Sequence, residues 1–109
     1  MNIIGLVGRI ARDPELRYTG NGNAVCNFPL AVDDPFSEGA DFFDVTVWGK
    51  PAESTATYMS KGSQVAVNGR LKQEKWEKDG QTRSKVVVVA ERVKFLDSGK
   101  KVSHEENPF

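Results

Sequence analysis

Apolar and polar residues alternate along most of this chain, and several aromatic residues fall on the polar side of the alternation. Phe43, Val45 and Val47 share one parity of a predicted strand, whereas Phe42 and Trp48 share the other parity with polar residues. Because side chains alternate across a strand, the odd-numbered apolar set is expected to face the core. The pattern therefore predicts two aromatic rings on the outer face of a sheet.

A second predicted strand, Ser63–Trp76, repeats this arrangement with charged neighbours. Its valines occupy one parity, and Trp76 shares the other parity with Arg70 and Lys72. An exposed tryptophan flanked by cations on a β surface is suited to stacking nucleobases and holding phosphates. The alternation thus points to a nucleic-acid-binding face.

The whole pattern predicts an all-β domain with one short helix. The predicted strands are Ile3–Ile10, Val25–Val32, Phe42–Trp48, Ser63–Trp76 and Arg83–Leu96, and the predicted helix is Pro51–Ser60. Between them we expect a long turn over Arg12–Asn23, an acidic loop over Asp33–Asp41 and a hairpin turn at Asp79-Gly80. Pro29 cannot donate to a ladder, which predicts an edge or a bulge there. Pro51 suits the first helical turn, and Gly62 suits the position just past the helix end. Three strands, a helix and two strands is the order of a five-stranded oligonucleotide/oligosaccharide-binding (OB) barrel.

The alternation ends near Leu96, which divides the chain into two parts. Residues 1–96 are predicted to form the single folded domain, and residues 97–109 a disordered tail without an apolar period. The chain has no run of apolar residues long enough to span a bilayer and no signal-peptide pattern. One cysteine, Cys26, cannot form an internal disulfide, so a cytoplasmic location is expected. Association with the nucleoid is expected only through the nucleic-acid binding that the aromatic residues suggest.

The zero formal net charge conceals an uneven distribution of charge. From Asp13 to Val47 there are seven acidic residues and one basic residue, whereas from Trp48 to Lys94 ten basic residues face five acidic ones. A neutral chain can therefore present a basic surface. The candidate phosphate contacts are Arg9, Lys50, Arg70, Lys72, Lys75, Arg83 and Lys85.

The candidate stacking residues are Phe36, Phe42, Trp48 and Trp76. Other interpretations remain open for each of them. The tryptophans could instead pack against another subunit, and a one-residue register slip would exchange the faces of Phe42 and its neighbour Phe43. Phe36 lies in the acidic loop, where it could equally serve as a loop anchor.

Signals of catalysis or of a cofactor are weak. Cys26 has the inward parity of a core residue, and the sole histidine, His104, lies in the predicted tail. The acidic group Asp33, Asp34, Asp41 and Asp44 has oxygen ligands for a divalent cation but no spacing that enforces a coordination shell. We therefore predict a protein that is not an enzyme and needs neither a cofactor nor a metal.

Four stretches together resemble the bacterial single-stranded DNA-binding protein family. They are LVGRIARDPELRYTGNG (Leu6–Gly22), VTVWGKPAE (Val45–Glu53), YMSKGSQVAVNGRL (Tyr58–Leu71) and EKW (Glu74–Trp76), and the resemblance runs from Met1 to about Leu96. It implies a homotetramer of OB barrels that wraps single-stranded DNA without sequence preference. It also implies base stacking on Phe36, Phe42, Trp48 and Trp76, although members can have tryptophan at the two phenylalanine positions.

The tail resembles the family's acidic tip, which recruits replication, recombination and repair proteins. The tip residues here are Glu105, Glu106, Pro108 and Phe109, with Asn107 where an aliphatic residue is typical. A proline-rigidified terminal ring and its carboxylate can dock in a basic pocket. The segment Asp97–Phe109 reaches at most roughly 45 Å, whereas members usually carry a long Gly-, Gln- or Pro-rich linker.

Three other functions remain open on the sequence alone. An OB barrel could bind RNA or tRNA, and a requirement for the 2′-hydroxyl would distinguish that function. A barrel-fold nuclease could use the acidic loop and would degrade DNA when Mg²⁺ is present. Lastly, the outward aromatic residues could form a subunit interface in an interaction protein.

Overall fold

A computed structural model describes residues 1–96 of the chain, and the predicted tail and its tip lie outside this range. The strands are β1 (Ile4–Ile10), β2 (Glu15–Tyr18), β3 (Ala24–Asp33), β4 (Ala40–Trp48), β5 (Gln64–Lys78) and β6 (Gln81–Phe95), and the helix is α1 (Lys50–Tyr58). Residues 1–96 contain no helix with the length and apolar character needed to cross a membrane.

The strands form one sheet that closes on itself. The order is β1-β5-β6-β4-β3-β2, and a further pairing of β1 with β3 joins five of the strands into a ring. The closing contact is short, with Arg9 opposite Ala31 and Ile10 opposite Leu30. Neighbouring strands are antiparallel except for β4 and β6, which are parallel over three residue pairs. The predicted five-stranded OB barrel is confirmed.

The interior of the ring is apolar, as the alternation predicts. Ile10, Leu30, Val45, Val65 and Val88 are each at most 2% exposed. Between them they come from all five strands of the ring, so each strand contributes its inward parity to one core. This burial leaves the other parity of each strand facing outward.

Two glycines allow strands to approach more closely than a side chain would permit. A Cβ on Gly8 would lie 2.2 Å from the carbonyl oxygen of Ala31, where β1 meets β3. A Cβ on Gly69 would lie 2.1 Å from the carbonyl oxygen of Val89, where β5 crosses β6. Both positions therefore require glycine for the ring to close.

The turn between β5 and β6 is the predicted two-residue hairpin. Its strands pair from Lys78 opposite Gln81, and the loop residues Asp79 and Gly80 have φ values of 55° and 78°. Positive φ at both positions is the geometry of a type I′ turn, which asparagine, aspartate and glycine favour. Each arm of this hairpin is a strand of 15 residues.

Two local predictions need correction, and a third, at Pro29, holds in one of its two alternatives. The long turn over Arg12–Asn23 contains β2, an exposed four-residue edge strand that pairs with β3 alone. Of the two alternatives predicted at Pro29, the structure shows a local edge and no bulge. The register of β3 with β4 is continuous there, and on its other side Pro29 lies between the β2-paired and β1-paired parts of β3, where no ladder donor is required. The helix ends at Tyr58, and Gly62, with φ of 93°, belongs instead to the following turn.

Candidate nucleic-acid interface

The outer face of β4 carries two of the predicted stacking residues. Phe42 is 64% exposed and Trp48 is 47% exposed. Six residues of extended strand separate them by about 20 Å. Phe42 lies opposite Ala31 and Phe43 lies opposite the buried Leu30, so the register fixes Phe42 on the outer face.

The β5–β6 hairpin carries the third aromatic residue beside several cations. Trp76 is 43% exposed and lies directly opposite Arg83. Residues paired across an antiparallel ladder have their side chains on the same face. Lys85, opposite Glu74, and Lys72, opposite Val87, therefore share the face of Trp76.

An ion pair joins the two faces. The ammonium Nζ of Lys85 lies 3.3 Å from Oδ2 of Asp44, which has the same parity as Phe42 and Trp48. The outer faces of β4 and of the hairpin are thus one continuous surface, which we call the aromatic face. It contains Phe42, Asp44, Trp48, Arg70, Lys72, Glu74, Trp76, Arg83 and Lys85.

Phe36 stands in the loop between β3 and β4 and is 94% exposed. Its backbone N–H donates to Oδ1 of Asp34 at 2.9 Å, and the hydroxyl of Ser37 donates to Oδ2 at 2.9 Å. These two bonds hold the pKa of Asp34 below its usual value, because both favour the carboxylate. Asp34 thereby fixes the backbone from which the Phe36 ring projects.

Three of the predicted phosphate contacts lie off the aromatic face. Lys75 has the opposite parity to Trp76 and pairs with Ser84. Lys50 begins α1 and lines a cleft between that helix and the last residues of β6, among them Phe95. Arg9 is exposed on β1, and its guanidinium donates to the carbonyl oxygen of Gly62 at 2.9 Å.

Two polar features of the aromatic face were not predicted from the sequence. The side-chain amide of Asn27 donates to Oγ1 of Thr46 at 2.9 Å, and Thr46 lies between Phe42 and Trp48 along β4. Arg70 lies 3.9 Å from Glu91 through its Nε atom. Alternation indicates which face each residue occupies, but only the pairing of strands shows which residues meet.

Several of the residues considered for catalysis or metal binding are either buried in the core or engaged in hydrogen bonds and ion pairs. Cys26 is fully buried, and loss of hydration raises the pKa of its thiol to about 11, which disfavours a nucleophilic thiolate. Asp34 and Asp44 are engaged by the bonds described above. Within residues 1–96, no three His, Cys, Asp or Glu side chains come together in an arrangement that could hold a metal ion.

Comparison with known proteins identifies relatives over the whole chain. The Single-strand binding protein family matches residues 1–96. The "Single-stranded DNA-binding protein" of Clostridium tetani is 50% identical, with 100% of this chain and 79% of that protein aligned. The "Single-stranded DNA-binding protein 2" of Clostridium acetobutylicum is 51% identical over 100% of this chain and 86% of its own length. The "Single-stranded DNA-binding protein 1" of Synechocystis is 45% identical over 90% of this chain and 85% of its own length.

These matches cover every strand of the barrel and the helix between them. The resemblance drawn from the four sequence stretches is confirmed. The chain belongs to the Single-strand binding protein family.

Proposed function

We propose that this protein binds single-stranded DNA without sequence preference on the aromatic face. The observation that carries the proposal is the ion pair between Lys85 and Asp44. This pair joins the outer face of β4 to that of the β5–β6 hairpin, so that the aromatic rings and the cations lie on one surface. Bases would stack on Phe42, Trp48 and Trp76, and Phe36 would add a fourth ring from its loop. Arg70, Lys72, Arg83 and Lys85 would contact phosphates.

Stacking accounts for the absence of sequence preference. Every base has a π face, so an exposed ring accepts any of them, whereas recognition of a sequence requires hydrogen bonds to base edges. Lys50, Lys75 and Arg9 would reach phosphates only if the strand continues around the barrel. Their contribution therefore depends on a wrapped path, which the relatedness to single-stranded DNA-binding proteins supports.

The proposed role is to coat DNA in the cytoplasm during replication, recombination and repair, without catalysis. Coating would protect the strand from nucleases and from re-pairing. We further propose a homotetramer, since wrapping needs more surface than one barrel provides. The tip residues Glu105, Glu106, Pro108 and Phe109 would recruit other replication and repair proteins.

A gel-shift comparison tests the binding proposal. Labelled oligothymidylate should shift at a lower protein concentration than a duplex of equal length. A requirement for the 2′-hydroxyl in competition would indicate RNA as the ligand, and Mg²⁺-dependent loss of the DNA would indicate a nuclease. If neither nucleic acid shifts and Trp48→Ala dissociates an oligomer, the aromatic residues form a subunit interface instead.

Deletion of Glu105–Phe109 tests the recruitment proposal separately. The deletion should leave the melting temperature and the oligomeric state nearly unchanged and should abolish capture of replication and repair proteins. DNA affinity should stay equal or rise slightly, because an anionic segment competes with phosphates for cations. Phe109→Ala alone should cause most of the loss of partners. Identical partner sets for the full-length and truncated proteins would refute this role.

A further inference from the structure

The aromatic face contains two acidic residues, Asp44 and Glu74, where a DNA phosphate would be repelled, and within residues 1–96 only Asp44 of these two is in an ion pair. Asp44 lies on β4 between Phe42 and Trp48, and its side chain is 56% exposed. Its carboxylate holds Nζ of Lys85 at 3.3 Å, close enough for a charge-assisted hydrogen bond from the ammonium. One of the proposed phosphate contacts is therefore occupied by a carboxylate of the protein itself.

A second cation on the same face has a similar partner, at a longer distance. Nε of Arg70 lies 3.9 Å from Oε2 of Glu91. The register between β5 and β6 shifts at this point: Gly69 pairs with Ala90 and Asn68 pairs with Arg92, which makes Glu91 the extra residue of a β-bulge. Bulges redirect side chains, and this one brings an acid to Arg70.

Among the cations of the aromatic face, Lys72 and Arg83 provide the contrast. Within the described residues neither of them is in an ion pair, although both are on the same strands as Arg70 and Lys85. Two cations of this face are thus paired with carboxylates and two are not. The pairing belongs to particular positions and is not a general property of the surface.

We propose that Asp44, and to a lesser extent Glu91, are affinity-limiting residues that position Lys85 and Arg70 in the unbound protein and compete with DNA phosphates for them. The inference rests on the proposed function, since it assumes that DNA crosses the aromatic face. Each phosphate that binds must replace a carboxylate, and the displaced carboxylate remains nearby as a repelling charge. Binding is weaker as a result than the number of cations would indicate.

The exchange also has a consequence for the salt dependence of binding. Each phosphate contact on a single strand contributes about −0.7 to the slope of log K against log salt, through release of counterions. When Lys85 leaves Asp44, the freed carboxylate recruits a cation from solution, which offsets part of that release. Lys85 should therefore contribute less to the slope than Lys72 does.

The test measures oligothymidylate affinity over a range of salt concentrations for the full-length protein and for Asp44→Asn. Exposed ion pairs of this kind correspond to about a 1.4- to 5-fold change in an equilibrium constant. Asp44→Asn should raise affinity at low salt by about that factor and steepen the slope by up to about 0.7. Glu91→Gln should have a smaller effect in the same direction, because its contact is longer.

Two controls separate exchange from a general change of charge. Asp41→Asn makes the same change on the same strand but on the opposite face, so it should alter affinity less than Asp44→Asn does. In a Lys85→Gln background, Asp44→Asn should lose most of its gain, because the cation for which it competes is absent.

The outcomes are distinct. If wild-type protein does not bind oligothymidylate, the proposed function fails and the inference fails with it. If wild-type protein binds and Asp44→Asn leaves affinity unchanged or lowers it, the exchange alone is refuted. An equal gain with and without Lys85 would also refute it, since Asp44 would then repel DNA without acting through the lysine.

Discussion

Replacement of Phe42 tests the proposed DNA contact with little expected effect on fold stability. The side chain is 64% exposed, so Phe42→Leu removes an aromatic ring from the surface and takes little from the core. Its effect on the free energy of unfolding should be within about 0.5 kcal/mol. The loss of a base platform by alanine substitution corresponds to about 1–3 kcal/mol, or roughly 5- to 150-fold in Kd. Since leucine retains some apolar contact, the change should lie near the lower end, at about 5-fold.

The adjacent Phe43 supplies a matched control. It is 36% exposed and lines the apolar cavity that Ile4, Leu71 and Val86 also line, on the opposite side of β4 from Phe42. Phe43→Leu should therefore lower stability by about 1 kcal/mol and leave DNA affinity nearly unchanged. Affinity by fluorescence anisotropy with labelled oligothymidylate, and stability by thermal melting, measure the two effects independently. Equal losses of affinity in both variants, or a loss in Phe43→Leu alone, would refute the assignment of faces.

Three further predictions concern the core, the thiol and the cations. Gly69→Ala should lower the free energy of unfolding by about 1–3 kcal/mol in denaturant titrations, because the new Cβ would lie 2.1 Å from the Val89 oxygen; Gly5→Ala, with open space around its Cβ, should be far milder. Burial raises the pKa of Cys26 from 9.0 to about 11, so the folded state favours the neutral thiol. The stabilisation that the buried neutral thiol provides is fully present below pH 9 and should decline as the pH rises from about 9 to 11. Cys26→Ala should remove this decline from the pH dependence of the free energy of unfolding, and an unchanged pH profile would contradict the prediction. Lys72→Gln should reduce the magnitude of the salt slope by about 0.7 without creating a base preference, and a slope equal to that of wild type would exclude a phosphate contact.

The sequence predicted the elements of the ring because their signals are local. Alternation identified the five long strands, and Asp79-Gly80 identified the hairpin turn, since both residues tolerate the positive φ that a type I′ turn requires. β2 was missed because its sequence carries no such local signal. All four of its residues are exposed, so no burial pattern distinguishes it from a turn, and only its pairing with β3 makes it a strand.

The contacts of the site depend on pairing that alternation cannot supply. The parities of Asp44 and Lys85 are readable, but their meeting requires the parallel contact between β4 and β6, which is three residue pairs long. The Arg70–Glu91 pair depends likewise on a bulge that no turn residue marks in the sequence. Lys75 shows the converse: its charge suggested a phosphate contact, whereas its odd parity places it on the opposite face from Trp76.

The central claim is that DNA bases stack on the exposed tryptophans, and an intrinsic-fluorescence titration tests it most directly. Trp48 and Trp76 are the only tryptophans in the chain, so the tryptophan emission reports on two of the four proposed platforms. Added oligothymidylate should quench the emission strongly and saturably, and Trp48→Ala and Trp76→Ala should each weaken binding by roughly 5- to 150-fold with the fold intact. Tight binding without quenching, with both variants retaining wild-type affinity, would contradict the account.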